Sequence, residues 1–335
     1  MPGIARGGGQ RFKFAEIGPR AGKEEDVFHG SRTGACSIAL HSGDGPRWQS
    51  VRGGGAGAMQ EAGDGQGRGP ALSEGLRLQP ETFMDRVVLC MKWGTLYGAE
   101  YVNVLYSAVR ANLTGDFRFV CLTDDTSGLR PEIETFPIPD IGLKPENWRH
   151  GAWPKIALFG HDLYGLTGRA LFIDLDMVIW GPLDGFFTHG TGLVMLDSGP
   201  WRHSDGVARS MSSIFAYDLG KLGYLVDRLR AERDAMTEKY DIEQAYLHGE
   251  VSPIGYWPQT WVVSYKYHLR PPVLVDRLRG PKPPGPGVRV LCFHGRPRPI
   301  DLIRPPAGNW DVFPHYGRGP VPWMVDYWTR HGGTV

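Results

Sequence analysis

The stretch RALFIDLDMVIWGPLD, residues 169–184, decides how this chain is read. Ala170–Ile173 is an apolar run of the length and composition of a buried strand. It leads directly into Asp174-Leu175-Asp176. In extended backbone, residues i and i+2 share a face, so both carboxylates can turn towards one ion. Side by side and unpartnered they would repel and raise each other's pKa, a conflict that a divalent cation removes. Oxygen ligands of this kind suit Mg²⁺ or Mn²⁺. A bare Asp-x-Asp triplet is common as an ordinary pair of acids. Here the apolar strand before it, Val178 and Ile179 continuing the run, and the turn at Gly181-Pro182-Leu183 favour metal binding.

Outward from this segment, strand-like and helix-like patterns alternate. Val87–Met91 reads as a buried strand. Val102, Leu105, Tyr106, Val109 and Leu113 follow the 3-4 spacing of an amphipathic helix. Phe117–Leu122 is the next strand and ends in Thr123-Asp124-Asp125. Ile133–Ile138 is a further short strand, and residues 153–163 read as helical. Later strands are expected at 193–196, 213–217 and 288–293, with helices at 219–231 and 242–248. The C-terminal tail shows no clear periodicity. The alternation predicts an α/β domain with an open, mostly parallel twisted sheet and helices on both faces. Ligands bind such sheets beyond the carboxyl ends of the strands, which is where the polar residues just named fall.

The chain has 335 residues, 37 basic against 36 acidic, and a net charge of +1. With no basic excess, a nucleic-acid partner is not expected. No apolar run approaches the roughly 20 residues that span a bilayer, and no apolar core of a signal peptide is evident near the N-terminus. Of the four cysteines, Cys90, Cys121 and Cys292 sit in apolar runs without metal-ligand spacing, as small buried hydrophobes do. Together with Cys36 they fit a reducing, cytoplasmic compartment. Residues 1–70 hold 18 of the 47 glycines. Such a stretch buries too little apolar surface to offset its ordering entropy, so residues 1–83 are expected to be a disordered, Gly-rich segment. An over-extended translation start is the other reading, since Met84 directly precedes the first ordered pattern. Residues 84–335 form the expected domain.

FIDLDMVIWGPLD resembles the metal-binding segment of GT-A glycosyltransferases, particularly the glycogenin and bacterial lipopolysaccharide galactosyltransferase group. The opening VVLCMKWGTLYGAEYVNVLYSAVRANLTGDFRFVCLTDD resembles the nucleotide-binding half of that fold. The likeness runs over roughly residues 84–300 as an order of elements. It implies a nucleoside-diphosphate-sugar donor, a glycan or lipid-linked acceptor, and Mn²⁺ (or Mg²⁺) as cofactor. It also implies hexosyl transfer with retention of configuration. Carried over, Lys92, Trp93, Gly94, Tyr97, Thr123, Asp124 and Asp125 would hold the base and ribose. For Trp93 and Tyr97, packing under a loop is an equal reading. Lys155, in WPKIALF, would approach the diphosphate.

The resemblance further implies a third metal ligand near the end of the domain. In VLCFHGRPRPI, residues 290–300, His294 takes that place, and its imidazole tilts the metal choice towards Mn²⁺. Arg296 and Arg298 would neutralise diphosphate charge. This segment departs from the family's pattern: Gly295 follows the histidine directly and Arg298 stands where lysine is usual. SMSSIFAYDLGKL and DIEQAYLHG resemble the segments bordering the sugar pocket. They supply Ser212 and Ser213, and then Glu243 and Gln244, which with Asp197 are the candidate catalytic residues. Trp257 and Trp261 are either acceptor-pocket walls or core.

Three rivals are weighed. A haloacid-dehalogenase-type phosphatase would use Asp174 as nucleophile, but Val178 stands where its threonine belongs, and its motif normally opens the domain. A sugar nucleotidyltransferase would need a Gly-rich, basic phosphate loop after the first strand. A lectin-like module would need neither the acid pair nor the distant histidine.

Overall fold

A computed structural model describes residues 85–335 except Ser204. The expectations for residues 1–83 and Cys36 lie outside the described residues. The first strand, β1 (Arg86–Lys92), is apolar throughout its interior and buried on both faces, as a central strand must be. Its side chains alternate between two cores. Val88 and Cys90 join Tyr101, Val102, Leu105 and Val109 of helix α1 (Ala99–Asn112). Val87, Leu89 and Met91 pack on the other face against Trp153, Ile156 and Phe159. Tyr106 lies at the margin of α1's buried stripe, half-exposed, its ring edge-on to Phe119.

The strands that follow are β2 (Arg118–Thr123), β3 (Glu134–Phe136) and β4 (Arg169–Ile173). β1 pairs in parallel with both β2 and β4, and β2 with β3. After β4 the chain leaves this sheet. Met177–Ile179 forms β5, which belongs to a second sheet. The Asp174 amide donates to Ser213 O at 2.9 Å and the Met177 amide to Asp174 O at 3.2 Å, so a turn separates the two strands. Val178 and Ile179 therefore do not continue the acid-bearing strand. The acid pair occupies the junction between two sheets, and its geometry is set by a turn and not by a pleat.

Next come α2 (Asp184–Thr188), β6 (Val194–Asp197), α3 (Gly199–Arg202) and β7 (Ser210–Asp218). Helices α4 (Tyr224–Ala231), α5 (Arg233–Lys239) and α6 (Glu243–Glu250) lead to β8 (Gly255–Tyr256) and β9 (Val262–Ser264). Strand β10 (Val290–Cys292) and helix α7 (Pro322–Arg330) complete the set. The main sheet has seven strands in the order β3-β2-β1-β4-β7-β6-β8, with β7 antiparallel to both its neighbours. The second sheet has the order β5-β10-β9. Cys90, Cys121 and Cys292 are buried and free.

Two elements differ from expectation. Residues 153–163 were expected to be an α-helix, but Trp153–Phe159 is a 3₁₀ segment whose seven residues are all buried. Gly160 ends it in extended backbone. The C-terminal tail, read as aperiodic, contains α7. Pro322 opens this helix, where its missing N–H costs nothing, and Met324, Tyr327 and Trp328 form its buried stripe. Trp328 is 2% exposed, packs edge-on to Tyr101, and donates its indole N–H to Glu100 Oε1 at 3.1 Å. Replacing Trp328 with alanine should cost about 3–5 kcal/mol of unfolding free energy, as large aromatic truncations in cores do. Urea denaturation checks this; a loss near zero would mean that α7 is not part of the cooperative core.

Candidate functional site

Where β1, the 3₁₀ segment and the β4–β5 turn meet, they enclose a cavity of about 320 Å³. Six of the sequence-derived candidates line it: Lys92, Trp93, Tyr97, Lys155, Asp174 and Asp176. Leu96, Trp148, Arg149 and Ala152 line it too, and were not singled out from the sequence. The aromatic and basic composition of NWRHGAWPK, next to Lys155, was the available signal.

Its most constrained member is Lys155, only 5% exposed. Its Nζ donates to Asp174 Oδ2 at 2.7 Å and lies 3.3 Å from Ser212 O, 3.4 Å from Ser212 Oγ and 3.8 Å from Glu243 Oε1. The Ser212 hydroxyl in turn donates to Glu243 Oε1. Burial works against the ammonium, but Asp174 and Glu243 outweigh it and hold the Lys155 pKa above its usual range. Asp176 stands on the other side of the pair. Burial, reinforced by the charge of Asp174, pushes its pKa up to about 7. The Tyr97 hydroxyl donates to Asp176 Oδ2 at 3.0 Å. Burial and the nearby Asp176 keep that phenol well above its ordinary pKa, so it remains a proton donor at neutral pH. Burial also raises Asp174 and Glu243 against the pull of Lys155.

Beside this cluster, the first two strand ends interlock. The Gly94 amide donates to Asp124 Oδ2 at 3.0 Å, and Lys92 Nζ donates to Asp125 O at 3.2 Å and lies 3.6 Å from Asp125 Oδ2. Gly94 takes a φ of +62°, which suits a residue without Cβ. The Thr123 hydroxyl donates to Asp125 O at 2.9 Å. Lys92 to Tyr97 and Thr123 to Asp125 thus form one rim.

The remaining candidates fall elsewhere. β10 runs towards the acid turn, since Cys292 pairs with Met177, the residue after Asp176. His294 emerges two residues later. Its Nε2 lies 2.9 Å from Ser264 Oγ, and its ring stacks near Trp201 and Tyr267. Among the described residues, no three His, Cys, Asp or Glu side chains come together as a metal site, so His294 does not close a triad with Asp174 and Asp176 in this conformation. The backbone delivers it to the right edge, but its ring is turned to Ser264 on β9. Arg296 is exposed. The Arg298 amide donates to Asp301 Oδ2 at 2.9 Å, within the start of a 3₁₀ turn. Neither arginine lines the cavity. Glu243 and Gln244 open α6, and Gln244 is half-buried. Asp197 Oδ1 accepts the amides of Gly199 and Arg209, both at 2.8 Å, and so pins the loop after β6. Trp257 is buried core, its indole donating to Ile214 O at 3.1 Å, and Trp261 packs against that core under Arg289.

Compared with known proteins, the chain matches no family model and no curated protein sequence. Its fold does have solved counterparts. A structure of the galactosyltransferase LgtC, in complex with donor and acceptor sugar analogs, superposes with a TM-score of 0.50 at 15% identity, over 74% of this chain and 97% of LgtC. The fold is GT-A-like. A glycosyltransferase from Streptococcus pneumoniae TIGR4, GlyE, matches at 15% identity and a TM-score of 0.48, over 74% of this chain and 63% of GlyE.

Within this GT-A-like cavity, Lys155 is the cation on which the buried acids rely. Replacing it with methionine should leave those carboxylates unpaired and cost about 3–5 kcal/mol near neutral pH. The sign with pH follows from their raised folded-state pKa values. Below the unfolded pKa all are protonated and no penalty exists; the penalty grows as pH rises through the folded values, up to about 7 for Asp176. The stability gap between wild type and Lys155→Met, read from urea melts, should therefore be wider at about pH 8 than at about pH 5. A gap independent of pH would show that Lys155 does not compensate these acids.

Proposed function

We propose that the chain is a metal-dependent glycosyltransferase that moves a hexose from a nucleoside-diphosphate-sugar to a glycan or lipid-linked acceptor. The observation that carries this reading is the convergence of Asp174, Asp176, Lys155, Trp93 and Tyr97 on one cavity at the strand ends of a GT-A-like fold. Donor set and charge fit a divalent ion. Asp174 and Glu243 both lie against the Lys155 ammonium, and Asp174 and Asp176, which line the cavity, offer hard oxygen ligands. When bound, Mn²⁺ or Mg²⁺ would act as a Lewis acid towards the departing diphosphate. His294 would complete the ligand set by turning from Ser264 towards the acid turn.

The chain's own residues supply the rest. Trp93 and Tyr97 offer aromatic faces to the base, with Gly94, Thr123, Asp124 and Asp125 beside them for the ribose. Lys155, fixed by Asp174, Ser212 and Glu243, presents positive charge where negative charge develops on the leaving oxygen. Glu243 holds that lysine, and Gln244 beside it on α6 would border the donor sugar. Asp197, committed to two backbone amides, is assigned to holding its loop. Arg296 and Arg298 would reach the diphosphate through movement of the segment after β10. Attack from the same face as the departing phosphate would retain configuration without a protein nucleophile. The phosphatase alternative is less well supported, because the acid pair follows the fourth strand in the chain and sits in a turn between sheets.

Asp176→Asn removes ligand charge at nearly constant volume. It should lower metal-dependent nucleotide-sugar turnover by about 100-fold or more, with the melting transition kept. Wild type should gain thermal stability from a nucleoside diphosphate with Mn²⁺ and lose that gain with chelator. Undiminished turnover in Asp176→Asn at saturating metal would sink the assignment. Metal-dependent phosphate release from simple esters, without nucleotide binding, would favour the phosphatase.

A further inference from the structure

Away from the cavity, two loops carry an arrangement the proposed transfer reaction does not use. Residues 271–282 and 311–318 are tied together from within. Asp276, 2% exposed, accepts the Tyr316 amide at 2.7 Å and lies 3.3 Å from His315 Nδ1. Asp311 is held by Arg270 at 2.9 Å and accepts the Val312 amide at 2.8 Å. The Arg277 guanidinium lies over the Tyr316 ring, and Phe313 packs edge-on to the same ring.

What these tied loops present outward is apolar. Leu278 is 86% exposed, Phe313 78% and Leu274 63%, with Val273, Val275 and Val312 also exposed beside them. Leu274 has a φ of +72°, a region that L-residues other than glycine, Asn and Asp rarely occupy. Soluble surfaces seldom cluster large apolar side chains this way without a partner.

The charge around the patch selects the partner. Between residues 270 and 320 the chain has nine basic residues and three acidic ones, although the whole chain is only +1. All three acids, Asp276, Asp301 and Asp311, are buried, while Arg277, Arg279, Lys282 and Arg318 are exposed. The exposed charges carried by residues 271–282 and 311–318 themselves are therefore all positive. Apolar side chains ringed by cations, with no exposed acid among them, match an interface of acyl chains beneath anionic headgroups. A protein partner or a second copy of this chain would be expected to meet mixed charge, and these two loops expose no acid.

We propose that residues 271–282 and 311–318 form a docking surface for an anionic lipid bilayer, with Leu274, Leu278 and Phe313 inserting and Arg277, Arg279 and Lys282 contacting headgroups. No helix of the described residues is long and apolar enough to cross a membrane, so the association is peripheral. It stands independently of the sugar-transfer reading. The full chain should cosediment with vesicles of mixed phosphatidylcholine and phosphatidylserine and not with phosphatidylcholine alone. Leu278→Asp with Phe313→Asp should abolish binding, and Arg277→Glu with Arg279→Glu should weaken it by about fivefold for each charge lost. Both pairs alter exposed side chains, so a cooperative melting transition should be kept, and it serves as the fold control. Failure to bind the mixed vesicles, equal binding to neutral ones, or binding indifferent to both pairs would each overturn the proposal. So would light scattering that shows a dimer abolished by the Leu278 and Phe313 changes.

Discussion

Lys155 Nζ lies among groups from three separate elements: Asp174 at the end of β4, Ser212 in β7 and Glu243 at the start of α6. The lysine itself comes from a fourth, the 3₁₀ segment packed beneath the sheet. Taking one ammonium and several carboxylates out of water is expensive, and such a cluster is weak evidence of net stabilisation. What it does supply is mutual dependence. Removing the cation strands the acids, and removing an acid leaves the cation under-paired. The position of each carboxylate is thus referred to one point. Because that point lies at the wall of the cavity, the same contacts that set the packing of α6 against β7 also set the electrostatics of the site.

The turn between the two sheets provides the second constraint. β4 is a buried central strand that ends at Ile173, while its neighbours β1 and β7 run past that point. The chain passes instead into β5, which pairs with β10. One short turn thus fixes the acids to the main sheet, through the Asp174 amide on Ser213, and to the small sheet, through Met177 opposite Cys292. The cavity forms where a parallel sheet's strand ends are left uncovered, and the turn that leads into the second sheet supplies Asp174, Leu175 and Asp176 to its lining. β10 matters to the site because it holds β5, although no residue of β9 or β10 lines the cavity.

Much of this was legible in the sequence, and the gaps have physical causes. The long apolar runs of β1, β2 and β4 gave strand positions, because strands buried on both faces need unbroken apolar sequence. The polar residues just after them were legible for the same reason, since a run must stop where the sheet ends. Periodicity failed where burial is complete: Trp153–Phe159 is apolar around Lys155 on every side, so no stripe distinguished a 3₁₀ segment from an α-helix. It failed again for α7, whose Met324, Tyr327 and Trp328 spacing is only one turn long and sits among prolines and glycines. The switch from β4 to β5 was hidden because both strands are apolar and only two polar residues separate them. Arg149 was missed for a different reason: a loop residue reaches a cavity through tertiary placement, which no local pattern encodes.

The division between what is built and what is left to movement follows the same physics. Residues tied to the acid turn by a buried ion pair or hydrogen bond, such as Lys155 and Tyr97, are already in contact with it. Those on segments leaving the ends of short strands are not. His294, Arg296 and Arg298 follow a strand of three residues. A three-residue ladder fixes where a chain leaves the sheet but not the rotamers beyond it. His294 meets Ser264 because β9 is the neighbour that parallel pairing provides. The acid turn lies across the antiparallel neighbour, β5, on the other side of the same strand. The imidazole is therefore held on the β9 side of β10, by the Ser264 hydroxyl.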